Sequence, residues 1–186
     1  MVFKIVVIGA SLGGLSALKN LLEQLPKELN LPIVIAQHRH RDSYNTLSDF
    51  LQQYTSLKVR EVEDKDKILP GYVYLAPADY HLLVESGDFA LSTDEPISYA
   101  RPSIDVLFES AADVYGEQVI GVILTGANED GVQGLKMIKA RLGTAIVQEP
   151  TTAECPVMPK AAINAVAVDW ILSPEEIGRK LVYLCN

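Results

Sequence analysis

Ser11, His38 and Asp130 are a nucleophile, a base and an acid, and each follows closely on an apolar, strand-like run, KIVVI, IVIA and VIGVIL respectively. A serine hydroxyl is a weak nucleophile near neutral pH. An imidazole beside it can take its proton, and a carboxylate on the other ring nitrogen fixes the tautomer and stabilises the imidazolium. The three residues are far apart in the chain. In a parallel α/β sheet, however, the carboxyl ends of the strands open on one crevice, where ligands bind. The pattern therefore points to acyl-transfer chemistry, provided that the chain builds such a sheet.

Each residue also has a competing reading. Ser11 lies in Gly9-Ala10-Ser11-Leu12-Gly13-Gly14, where a strand-to-helix turn would expose its Oγ. The same turn would aim free backbone N–H groups at whatever Oγ attacks. Such donors contribute roughly 3–4 kcal/mol each to a developing oxyanion. The plainer reading is an N-cap serine. The segment also approaches the dinucleotide-binding turn G-x-G-x-x-G, but Ser11 would crowd a pyrophosphate, and the second strand ends in Gln37-His38-Arg39 without an acid. Arg39 and Arg41 are the best support for that reading. His40 competes with His38 as base. A zinc site from His38 and His40 with His81 or an acid matches no standard ligand spacing. Asp130 closes the Gly-rich stretch Leu124-Thr125-Gly126-Ala127-Asn128-Glu129-Asp130-Gly131. Glu129 and Asn128 are alternatives to it, and it is also a natural N-cap for the helix that follows.

Strand and helix patterns alternate nearly throughout. A strand at 4–8 leads to a helix at 15–24 with Leu15, Leu18, Leu21, Leu22 and Leu25 at helical spacing. A fully apolar strand at 33–36 suits a sheet covered on both faces, and a helix follows at 44–54. Residues 57–92 read as short strands, KVREV, GYVYLA, YHLLVES and DFALST, with turns at Pro70-Gly71 and Ser86-Gly87-Asp88. The last two strands are expected to form a hairpin inserted at the sheet's edge. Ser103 is a good N-cap for a helix running to about Tyr115. A strand at 119–124, a helix at 132–140, a strand at 144–148, a short helix at 159–164 and a strand at 166–170 complete the alternation. Ser173-Pro174-Glu175-Glu176 is a capping box that opens a final helix. The pattern predicts one domain over residues 1–186. Its fold class is α/β, a doubly wound, mostly parallel sheet with helices on both faces and a small antiparallel β-hairpin.

The 186 residues suffice for a sizeable core, and 48% hydrophobic with 22% charged residues is ordinary for a globular protein. A net charge of -8 argues against a nucleic-acid partner, which requires a basic footprint. No apolar run reaches the ~18 residues of a membrane span. Cys155 and Cys185 form no CxxC and read as free thiols of a reducing, cytoplasmic compartment.

The stretches IGASLGG, QH, EDKDKILPGYVYLAP, HLLV, RPSIDVLFESAA, GVILTGANEDGV, GLKMIKA and MPKAAI occur in that order over nearly the whole chain. In this the sequence resembles the catalytic domain of the chemotaxis protein-glutamate methylesterases. The resemblance implies a central, mostly parallel sheet with a small β-hairpin. It implies Ser11 as nucleophile, His38 as general base and Asp130 as its partner, with no cofactor and no metal. The implied reaction is hydrolysis of glutamate methyl esters on chemoreceptor cytoplasmic helices, releasing methanol, with deamidation of receptor glutamines as a further activity. Backbone N–H groups of Ser11 or Leu12 and of Ala127 would hold the oxyanion. Arg101 would sit on the substrate-side rim, facing an acidic receptor helix or forming a salt bridge there.

The chain departs from the family pattern in places. Leu12 replaces a common Thr, Ala127 a Met and Asn128 a Gly; Arg39-His40 stand where Met-Pro is frequent, and Cys155-Pro156-Val157 replaces a Gly-containing approach. Backbone donors survive such changes, but the pocket walls change. Met1 leads straight into the first strand, so the family's receiver domain is not expected within this chain, which is then either a piece excised from a longer protein or a stand-alone protein whose control would fall to a separate regulatory protein. The competing function is a non-catalytic module that binds a receptor or partner on the same fold. Activity through an imidazole base should rise with pH, a model imidazole titrating near ~6.5.

Overall fold

The computed structural model describes residues 2–39, 46–97 and 99–185. In chain order the elements are β1 (Ile5–Ala10), α1 (Gly14–Leu22), β2 (Ile33–Gln37), α2 (Thr46–Gln52), β3 (Lys58–Glu61), β4 (Tyr72–Leu75), β5 (His81–Val84), β6 (Phe89–Ser92), α3 (Ile104–Tyr115), β7 (Val119–Ile123), α4 (Val132–Ala140), β8 (Thr144–Gln148), α5 (Val157–Ala165), β9 (Trp170–Leu172) and α6 (Pro174–Cys185). Seven strands form one sheet in the order β3-β4-β2-β1-β7-β8-β9, and every pairing in it is parallel.

The central strands β1, β2 and β7 are buried along their whole length, because a parallel sheet is roofed on both faces. Successive side chains of β1 serve opposite faces. Ile5 and Val7 join the core beneath α3, α4 and α5, while Val6, Ile8 and Ala10 join the core beneath α1, α2 and α6. From the β1–β7 junction the chain runs outward through β7, β8 and β9 on one side; on the other it runs from β1 to β2, then to the edge strand β3 and back to β4 between them. That junction is the topological switch point, and the crevice beyond its carboxyl ends is where doubly wound sheets bind ligands.

The hairpin lies elsewhere than the sequence suggested. β5 and β6 pair antiparallel as a sheet of their own. Leu82, Val84 and Phe89 are buried in the core on the α3 side, and the Val84 N–H donates to Ser110 Oγ of α3 at 3.0 Å. The sheet's edge is instead occupied by β3 and β4, which pair in parallel. Short strands carrying polar residues look alike in sequence whether they extend a parallel sheet or form a meander. Several boundaries also move, among them β1, which runs Ile5–Ala10 rather than 4–8, and the C-terminus of α1, which ends at Leu22 rather than 24. α1 begins at Gly14, α5 begins at Val157 rather than 159, and β9 lies at Trp170–Leu172 rather than 166–170. In the last case Val166 is the C-cap of α5, its N–H bonded to Ala162 O at 3.0 Å. Residues 44 and 45 of the expected second helix lie outside the described residues.

Two caps form as the sequence predicts. Ser103 Oγ accepts the Val106 N–H at the start of α3. The capping box of α6 closes both ways, Ser173 N–H to Glu176 Oε2 at 2.9 Å and Glu176 N–H to Ser173 Oγ at 3.3 Å. Ser173→Ala is expected to lower stability by about 1 kcal/mol, roughly 2–4 °C in Tm for a chain of this size. An unchanged melting curve would mean that the box contributes nothing.

Candidate active site

Strand register brings the three sequence candidates together. Ala10 pairs with Gln37 and Gly9 with Ile123, so the residues just past β1, β2 and β7 leave the sheet side by side. The Ser11 N–H donates to Thr125 O and the His38 N–H to Ala10 O, both at 2.9 Å. His38 then spans the gap, with Nδ1 at 3.1 Å from Ser11 Oγ and Nε2 at 2.7 Å from Asp130 Oδ2. An ionised carboxylate only accepts, so Nε2 carries the proton and Nδ1 is the acceptor facing the hydroxyl. The imidazole is thus turned the other way round from the chymotrypsin triad, where Nε2 faces the serine.

The capping alternatives resolve in an instructive way. The N-cap of α1 is Gly13, with no side-chain cap bond, so Ser11 Oγ is directed to His38 instead. The N-cap of α4 is Gly131. Asp130 does cap a helix, but a neighbouring one. Its carboxylate accepts Ile104 N–H at 2.7 Å and Asp105 N–H at 3.1 Å from the first turn of α3, and Ser103 Oγ–H at 2.9 Å. Anions are stabilised at that end of a helix. Burial pushes the Asp130 carboxyl up, but the hydrogen bonds from His38, Ile104 and Asp105 outweigh it and hold the group below the usual carboxylate range.

Gln37 joins nucleophile and base from beneath. Its Nε2 donates to Ser11 O and to His38 O, each at 2.9 Å. Sequence reading singled out neither this carboxamide nor the bond from Ser103 to Asp130. Ser103 carried a signal as an N-cap, but a cap pattern does not say which distant acid the hydroxyl meets. Gln37, last in an apolar strand, carried only the signal of a polar residue in a buried place.

Asp105 was missed as well. It accepts the Gly134 N–H of α4 at 2.7 Å. Burial, with help from the negative Asp130 and Glu109, raises its carboxyl to about 6, against the lowering effect of the Gly134 and Gly131 N–H groups. Below about pH 4 both the folded and unfolded chain carry this group protonated. Its ionisation costs stability progressively as pH rises to about 6 and fully above. Asp105→Asn is therefore expected to be more stable than wild type at pH 8 by up to about 3 kcal/mol, two units at 1.36 kcal/mol each. The gain should vanish at pH 4, as read from urea midpoints. Equal gains at both pH values would refute this origin.

A cavity of about 860 Å³ opens over Ser11 and His38, with Leu12, Arg39, Tyr99, Arg101, Asn128 and Glu154 along its walls. Of the expected oxyanion donors, the Ser11 N–H is already bonded to Thr125 O. Leu12 lines the cavity, and Ala127 is exposed beside Asn128. Arg101 is held by the rim, donating to Thr93 O, Asp94 O and Asp79 Oδ1 at 2.8, 3.0 and 2.8 Å. Arg39, best support for a dinucleotide phosphate, is turned to Glu61 at 2.5 Å and Ala76 O at 3.1 Å. Arg41 lies outside the described residues.

His81 is a core histidine. It is 2% exposed, its Nδ1 accepts the Ser103 N–H at 3.2 Å and its Nε2 meets Glu95 O at 3.1 Å. Both ring nitrogens are thereby used. His40, the competing base and supposed zinc ligand, lies outside the described residues. Among the described residues no group of three or more His, Cys, Asp or Glu is arranged to hold a metal ion.

A serine, an imidazole and a buried carboxylate in hydrogen-bonded series, at the switch point of a doubly wound parallel sheet, define the architecture of an α/β serine hydrolase. Residues 6–181 match the CheB methylesterase family model, and the chain belongs to the CheB methylesterase family. A Leptospira interrogans protein, provisionally named protein-glutamate methylesterase/protein-glutamine glutaminase, is 47% identical over 99% of this chain and 96% of its own length. Protein-glutamate methylesterase/protein-glutamine glutaminase 1 of Carboxydothermus hydrogenoformans is 40% identical over 96% of this chain. The chain spans only 54% of that longer relative. The crystal structure of the Thermotoga maritima CheB methylesterase catalytic domain superposes with a TM-score of 0.94 at 36% identity, covering 99% of this chain and all of that one.

Proposed function

We propose that this protein is a serine hydrolase that removes methyl esters from glutamate side chains on chemoreceptor cytoplasmic helices, and that it deamidates receptor glutamines at the same site. The carrying observation is the continuous series Ser11 Oγ, His38 and Asp130, joined at 3.1 and 2.7 Å. A module that only bound a partner would have no need of that series, so the geometry favours turnover over the binding reading.

Ser11 Oγ attacks the ester carbonyl as His38 Nδ1 takes its proton, and Asp130 stabilises the imidazolium. The oxyanion is held by the Leu12 and Ala127 N–H groups. Both donors belong to the backbone, so the unusual side chains at 12 and 127 leave them available. His38 then protonates the departing methanol. A water deprotonated by the same nitrogen attacks the acyl-enzyme and releases free glutamate; from glutamine, ammonia leaves in place of methanol. No step calls on a cofactor or metal.

The partner is a methylated receptor in the cytoplasm. No helix among the described residues is long and apolar enough to cross a membrane. Arg101 stands at the mouth of the cavity already paired with Asp79, and acidic residues flanking the ester would meet its guanidinium beside that pair. Arg101→Ala is expected to raise KM several-fold with kcat little changed and to weaken the salt dependence of KM; an unaltered KM would remove Arg101 from substrate binding. The central test is methanol release from methyl-esterified receptor membranes by wild type and by Ser11→Ala. Release by wild type alone supports the reading, and equal release by both defeats it.

A further inference from the structure

The starts of α3 and α4 hold each other by an exchange of carboxylates. Asp130, in the loop entering α4, accepts two N–H groups from the first turn of α3. Asp105, in the first turn of α3, accepts the Gly134 N–H from the first turn of α4. α4 has no side-chain cap of its own, because its N-cap is Gly131 at φ 98, a conformation natural to glycine. The approach is too close for other residues: a Cβ at position 134 would stand 2.4 Å from Phe108 Cβ and 3.0 Å from Asp105 O. Asp105 is 9% exposed and does not line the cavity over Ser11. Its hydrogen bonds run to Asp130 and to Gly134, not to Ser11 or His38.

We propose that Asp105 is a positioning residue. By accepting from the start of α4 it fixes the loop that carries Asp130, and so keeps the Asp130 carboxylate on His38 Nε2. A hydrogen bond of this kind needs an acceptor at the right point more than it needs a charge, and a triad loses rate steeply when its members drift by a fraction of an ångström. Asp105→Asn retains the acceptor and relieves the repulsion between neighbouring carboxylates. Asp105→Ala leaves the Gly134 N–H without a partner and frees the loop.

The inference rests on the serine-hydrolase reading, and its test separates the two. Ser11 is labelled with a fluorophosphonate, which reports the poise of the nucleophile without the receptor. The kcat and KM for methanol release are measured beside it, on protein whose folding is checked by circular dichroism. Asp105→Ala is expected to label and turn over at least tenfold more slowly with KM unchanged, whereas Asp105→Asn stays within about threefold of wild type while being the more stable protein. If Asp105→Ala does not fold, Asp105→Glu takes its place; its carboxylate is displaced by one methylene and the same tenfold loss is expected. Wild-type labelling with every folded variant at the wild-type rate would overturn the positioning role alone. A loss that raises KM and is shared equally by Asp105→Asn would overturn it too. A wild-type protein that never labels would overturn the hydrolase reading, and the positioning role with it.

Discussion

Replacing Ser11 by alanine is expected to lower the kcat for methanol release by about 10³- to 10⁶-fold, the range found when a triad nucleophile is removed, while the fold stays intact. The reason for the second half lies in how Ser11 is held. Its backbone is fixed by the bond from its N–H to Thr125 O and by the Gln37 carboxamide on its carbonyl, and alanine keeps both. Only the bond from Oγ to His38 is lost, a loss of about 1 kcal/mol at a partly exposed position. An Ser11→Ala protein with a normal melting curve and no turnover would assign the nucleophile. One that still turned over at a tenth of the wild-type rate would require another nucleophile or a water-based route.

Asp130→Asn is expected to damage activity and stability together. Loss of the acid from a triad lowers kcat by about 10⁴ when the imidazole settles in the wrong tautomer. Here the replacement also meets four donors, from His38, Ser103, Ile104 and Asp105. A carboxylate accepts from all four with two oxygens, but a carboxamide offers one oxygen and turns an NH₂ toward donors. Leaving such groups unpaired in a buried place costs about 2–4 kcal/mol. The sign with pH follows from the lowered carboxyl of Asp130. Its stabilisation is complete above the unfolded value and is lost as pH falls through the still lower folded one. Urea unfolding should therefore show a wide gap between wild type and Asp130→Asn at pH 7 that narrows below about pH 4. A variant with wild-type kcat would show that Asp130 does not serve the imidazole.

These two substitutions differ because Ser11 only borders the fold's support while Asp130 belongs to it. The same carboxylate polarises the base and caps α3, so the site and the α3–α4 junction cannot be loosened separately. Asp105, on the other side of that junction, carries the opposite pH sign, since burial raises it where the bonds around Asp130 lower it.

The sequence by itself determined the alternation of strands and helices, the apolar central strands, the caps at Ser103 and Ser173, and a short set of candidates at strand ends: Ser11, His38 or His40, and Asp130, Glu129 or Asn128, among which the family resemblance, and not spacing, chose. Those features are local. Continuous apolar runs report burial on both faces, capping residues report the next three residues, and strand ends in a parallel sheet report a shared crevice. What only the tertiary structure decided is non-local. Which helix Asp130 caps depends on the approach of α3 to α4. Whether the short strands between 57 and 92 extend the sheet or fold over α3 depends on which apolar faces find each other. Gln37 bridging two carbonyls, Asp105 reaching Gly134 and Arg39 turning to Glu61 are contacts between residues brought together by strand register and helix packing, and no spacing along the chain encodes them.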